Sequence, residues 1–185
     1  MRSAFIVMLC SAIFALNGYS LSLAVEGGVV GQGMEPPPMN VKGEKFLSGT
    51  VVDKIFPEIS FTIPADWEAV QPNGEKIILL ASKKVTALGW AYTASQSEES
   101  GWRKRLNDPM PFMHRLFNPS GKVTRDGAVL RNTFVDADDP NYLGWGVAVL
   151  GKGEYNLLYF LTCDSHVISH CEQALDQLLR LTRTK

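Results

Sequence analysis

The sequence predicts an α+β domain: a mainly antiparallel sheet covered by helices, with a closing C-terminal amphipathic helix. Three observations carry this. Ile59, Phe61 and Ile63 alternate with polar residues, and five further apolar runs have strand character. The links between those runs are too short for parallel crossovers. Between Gln96 and Gly121, and again after Asp164, the apolar spacing changes to that of a helical face.

The elements follow in order. Arg2 supplies a positive start, and Ala4 to Leu16 is an uncharged apolar run of thirteen residues, the length of a signal-peptide core and short for a bilayer span. Ser22-Leu23-Ala24 places small residues where a signal peptidase reads, so residues 1–24 are expected to be a signal peptide cleaved after Ala24. The competing reading is an uncleaved anchor. Cys10 lies inside the apolar run behind bulky neighbours, which excludes a lipobox. From Glu26 to Gly43 five glycines and three prolines fill eight of eighteen positions, so residues 25–50 read as a Gly/Pro-rich flexible tether. Residues 51–185 are then a single domain.

Within it, Ile59 to Ile63 is a strand stopped by Pro64, and Trp67 turns back onto the same core. Lys76 to Ser82 and Ala87 to Ser95 are strands joined by a short polar link, hence antiparallel neighbours. Trp102 and Leu106, and then Phe112 and Leu116, are four apart, and Asp108-Pro109-Met110-Pro111 separates them into two short helices. Asn118-Pro119-Ser120-Gly121 is turn chemistry. Ala128 to Val135, Tyr142 to Leu150 and Glu154 to Thr162 are further strands, the last two joined as a hairpin through Gly151-Lys152-Gly153. Val167, Cys171, Ala174, Leu175, Leu178 and Thr182 form the stripe of the closing helix, capped by Asp164 or Ser165.

With 45% hydrophobic and 20% charged residues and a net charge of -1, the chain has globular composition and lacks the basic excess that binding a nucleic-acid backbone requires. No run after the first approaches a membrane span, so no stable membrane insertion is expected once the signal is removed. The strand Ile59-Ser60-Phe61-Thr62-Ile63 ending at Pro64-Ala65-Asp66-Trp67, with the closing hairpin and helix from Tyr142 to Thr182, resembles the PsbP-like domains, including the bacterial DcrB-like envelope proteins. That resemblance implies a sheet packed between helices and a non-enzymatic role in the envelope or in binding other proteins. The chain departs from DcrB-like lipoproteins in having no lipobox, and from cytoplasmic effector chaperones of this family in carrying a signal peptide.

Removal of the signal leaves Cys163 and Cys171, an even pair that in an exported protein is most simply a disulfide. A metal site over Cys163, His166, His170 and Cys171 is the rival, although adjacent His170 and Cys171 project about 100° apart on a helix. Free thiols are the third possibility. Asp136 to Asn141 gathers three carboxylates without an EF-hand pattern and reads as a solvated turn. No hydrolase elbow, zincin or phosphate-loop motif occurs, so neither an enzyme nor a cofactor is expected. The function read from the residues is a periplasmic or secreted protein that binds a protein partner. The alternative is an immunity-type inhibitor of a toxin acting in the same compartment. The expected contact surface lies between Gln96 and Gly121, with Trp102, Arg103, Arg105, Phe112 and Arg115 as its contacts, because aromatic and Arg side chains are enriched at interfaces.

Overall fold

The computed structural model describes residues 42–184 except positions 57, 96–97 and 153–154. The expected signal peptide and residues 25–41 of the expected tether lie outside these residues. In chain order the strands are β1 (Gly43–Phe46), β2 (Val51–Val52), β3 (Ile59–Thr62), β4 (Trp67–Pro72), β5 (Ile77–Ser82) and β6 (Ala87–Ser95). After helix α1 (Glu99–Asn107) come β7 (Met110–Phe112), β8 (Arg115–Pro119), β9 (Thr124–Asp126), β10 (Val129–Asp136), β11 (Tyr142–Val149) and β12 (Tyr155–Asp164). A 3-10 turn at Ser165–Val167 leads into α2 (Ile168–Leu181), and β13 (Arg183–Thr184) ends the described chain.

β12 organises the molecule. Leu157, Tyr159, Leu161 and Cys163 point into one core, while Leu158 and Phe160 point into another, so the strand is buried on both faces and reads as one apolar run. β6 and β11 flank it, both antiparallel. The sheet extends through β5 and β4 to the edge strand β1, and through β10 and β8 to the edge strand β7, with β9 paired on the remaining length of β10. It curls into a half-barrel. A separate three-stranded sheet, ordered β13-β3-β2, ties the end of the chain to the segment before β4.

This architecture corrects the expected fold class. The protein is mostly antiparallel sheet with thirteen strands and only two α-helices among the described residues, rather than an α+β sheet covered by helices. The second helix expected before Gly121 is the hairpin β7–β8. Pro111 denies a helix its hydrogen bond, Met113 takes a left-handed φ of 56° at the turn, and Phe112 pairs with Arg115 across it. Phe112 is then buried and Leu116 exposed, which a shared helical face would not allow. β1 falls inside the expected tether, where Gly43-Glu44-Lys45-Phe46 pairs along β4 and partly buried Phe46 packs on the core.

α2 lies where its stripe predicts, burying Cys171, Ala174, Leu175 and Leu178. Each fully buried Leu contributes roughly 1.5–3 kcal/mol of apolar transfer. The Asp164 side chain caps the preceding 3-10 turn by accepting from the His166 N–H at 2.9 Å.

The expected Cys163–Cys171 disulfide is not formed, and both residues are buried thiols. The Cys171 S–H lies 4.0 Å from the Thr162 carbonyl. A hydrogen bond with Cys163, then burial, pushes the Cys171 thiol well above its ordinary range.

Candidate functional site

A cleft of about 450 Å³ opens between α2 and the strands β9 to β11. The pairing register builds its sheet side. Thr133 of β10 is opposite Trp145 of β11, and Arg131, two residues along on the same face, is opposite Thr124 of β9. β8 and β9 both pair with β10, and the chain crossing between them carries Lys122 to the cleft. Gly121 lets that crossing lie flat, since a Cβ there would be 2.7 Å from Thr133 Oγ1. The buried stripe of α2 seats Leu175 in the floor and leaves Glu172 and Asp176, one helical turn apart, along the opposite rim.

The ion pairs among the described residues lie outside the lining of this cleft. Arg103 pairs with Glu99 at 2.8 Å, Lys84 with Asp66 at 2.7 Å and Arg115 with Asp136 at 3.3 Å, and Arg125 also pairs with Glu99. The Arg103 hydrogen bond outweighs slight desolvation and holds the Glu99 carboxyl below its usual range. Among the described residues, Lys122, Arg131, Glu172 and Asp176 belong to no ion pair within 4.0 Å. Two cations on the sheet side face two anions on the helix side, with Trp145 half-buried between them.

The residues expected to form a contact surface are placed differently. Trp102 and Phe112 are 4% and 5% exposed and pack in the core beneath α1, with Phe112 edge-on to Phe160. Arg103 is held by Glu99. Arg105 donates Nη2 to the Met110 sulfur at 3.3 Å, while its Nη1 and Trp102 Nε1 are buried donors without a hydrogen-bond partner among the described residues. Arg115 lies over the Tyr142 ring, 4.5 Å from its centroid, as well as against Asp136. Burial pushes the Tyr142 hydroxyl above its ordinary range, partly offset by a hydrogen bond with Thr162 and by Arg115. The loop read as a solvated turn instead buries the Asp136 carboxylate, whose Oδ1 accepts from the Asp138 and Asp139 N–H groups, each at 2.9 Å.

Ser82 Oγ and His170 Nε2, 2.9 Å apart, resemble a nucleophile and its base. The surroundings speak for a structural clamp. Ser82 is buried, its oxygen already accepts from the Lys84 and Val85 N–H groups, and His170 stacks on Trp67 with centroids 6.0 Å apart. His170 is thereby turned away from His166, whose side chain is 90% exposed and 4.0 Å from Asp164. The four residues of the rival metal reading are not brought together, and no group of three metal-ligating side chains occurs among the described residues. No described helix is long and apolar enough to cross a membrane.

No protein-family model and no characterised protein sequence matches the chain. Among solved structures, the solution structure of the cyanobacterial PsbP protein CyanoP from Synechocystis sp. PCC 6803 is similar at 9% identity and a TM-score of 0.42, over 86% of this chain and 98% of that one. A crystal structure from Bacteroides thetaiotaomicron VPI-5482 is similar at 12% identity and a TM-score of 0.40, over 78% of this chain and 49% of that one.

Proposed function

We propose that the protein is an exported, non-enzymatic accessory protein that acts by binding a protein partner, and that the partner enters the cleft between α2 and β9 to β11. The observation carrying this reading is that Lys122, Arg131, Glu172 and Asp176 surround a half-buried indole without pairing one another. Aromatic and Arg side chains in a concave, partly dry surface are what interface cores use. Arg2, the apolar run Ala4 to Leu16 and Ser22-Leu23-Ala24 support export. A binding role is supported further by the Ser82–His170 pair, whose hydroxyl is committed to the fold.

A photo-crosslinking side chain placed at Thr133, in the cleft, and separately at Lys104, on the exposed side of α1, tests this in the cells that make the protein. The expected result is a discrete protein adduct from Thr133 in the envelope fraction and none from Lys104. An adduct from Lys104 alone would move the contact surface to the arginine-bearing segment. A protein confined to the cytoplasm with no adduct from either position would overturn the reading. An envelope-directed toxin as the captured partner would make the protein an immunity-type inhibitor.

A further inference from the structure

We infer that the cleft takes a peptide segment of mixed charge, in which a basic and an acidic side chain flank an apolar one. The inference rests on the binding reading above and gives it a ligand chemistry. Arg131 and Thr133 stand two residues apart on β10, and Trp145 is cross-strand to Thr133, so the guanidinium lies about one strand repeat along from the indole. Glu172 and Asp176 repeat along α2 at one turn, roughly 5–6 Å apart. Leu175 lies between them in sequence and is buried at the floor beside Trp145. The surface therefore presents a positive rim, an apolar centre and a negative rim.

Each simpler ligand meets an obstacle in this arrangement. A purely anionic ligand, whether phosphate or an acidic peptide, satisfies Arg131 and Lys122 but is repelled by Glu172 and Asp176. A purely cationic ligand meets the reverse. An apolar ligand would strip water from four charges and return no partner to any of them. A segment with both signs answers both rims while its apolar side chain covers the indole. The rims are solvent-accessible, so each charge contributes modestly and the attraction weakens with salt.

Trp145 supplies a built-in probe, because Trp67, Trp90 and Trp102 are buried and only Trp145 of the four tryptophans is half-exposed. Fluorescence of the protein is titrated with end-blocked peptides of lysine, leucine and glutamate, of three lysines, of three glutamates and of three leucines. Acrylamide quenching is followed in parallel. The mixed peptide is expected to change the emission saturably and to protect it from acrylamide, with an affinity that falls as salt is raised. Arg131→Gln and Asp176→Asn should each weaken it roughly twofold to fivefold. Arg131→Gln should shift preference toward the lysine peptide and Asp176→Asn toward the glutamate peptide, a change that general loss of structure would not produce. Trp145→Leu should remove the signal while calorimetry still detects binding. Preference for a single-sign or apolar peptide would overturn the mixed-charge inference and leave the cleft as a binding site. No binding of any peptide, together with no adduct from Thr133, would overturn both.

Discussion

The two faces of β12 hold the protein together by different means. On the α1 face, Phe160 stands among Trp90, Phe112, Phe117 and Phe134 with ring centroids 5.3 to 6.0 Å away, all but the tilted Trp90 pair edge-on. Space for this cluster comes from glycine. A Cβ on Gly144 would meet Phe160 at 2.9 Å, and one on Gly146 would meet Phe134 at 2.8 Å. On the α2 face the packing is laced with polar ties: Ser82 to His170, Tyr159 to Thr182 at 2.8 Å, and Gln177 Oε1 accepting from the Ala65 N–H at 2.9 Å. Aromatic contact needs shape and tolerates no added volume, whereas the docked helix needs direction. A helix fixed by directional ties along its inner side can leave its outer rim free, and that rim is one wall of the cleft.

The largest effect should come from Phe160→Ala, which empties the centre of the aromatic cluster. Unfolding in denaturant should show a loss of about 3–5 kcal/mol. Gly146→Ala tests the same face by overfilling it and should cost about 1–3 kcal/mol, since Phe134 and Leu106 must both move. On the other face, Ser82→Ala leaves His170 and two N–H groups without their shared partner. A loss of about 1–2 kcal/mol is expected, with hydrogen exchange in α2 accelerating more than in α1. Equal acceleration in both helices would erase the distinction between the faces.

Tyr159→Phe removes one tie and should cost about 1 kcal/mol at neutral pH. Its larger signature is alkaline. Burial pushes the hydroxyls of Tyr159 and Tyr142 above the ordinary tyrosine value of 10.0, so the folded state holds those protons more tightly than the unfolded one. That contribution is complete below pH 10 and is lost as pH rises beyond it, so wild-type stability should fall there and the variant's should fall less steeply. The smallest test is a count. Denatured, unreduced protein comprising residues 25–185 should titrate two thiols, from Cys163 and Cys171, and the native protein should react slowly. A count of zero would restore the bridge.

Much of the sheet was legible because its strands are long enough to show a period. Ile59 to Thr62, Ile77 to Ser82 and the run from Tyr142 to Asp164 announce themselves by alternation or unbroken apolar sequence, and the stripe from Cys171 to Leu178 announces α2. Two-residue strands such as Val51–Val52 and Arg183–Thr184 carry no period, so the small sheet was not. Phe112 and Leu116 satisfied a helical spacing by coincidence, and the prolines beside them were the signal that could have corrected it. The cleft was missed because its walls come from positions 122–145 and 172–176, which only the register of β9 to β11 and the seating of α2 bring together. A partial signal existed: Glu172 and Asp176 share the polar side of the α2 stripe, and Arg131-Asn132-Thr133 is a polar stretch inside β10.

The order of the main sheet has a consequence for life at high concentration. Its outermost strands are β1, four residues long and displaying Glu44 and Lys45, and β7, three residues long with Pro111 at its middle. A sheet edge recruits further copies when it is long, flat and rich in unsatisfied N–H groups, and these two are short, charged or missing a donor. The long apolar strands that would seed aggregation, β6, β11 and β12, lie innermost, where each is already paired on both sides.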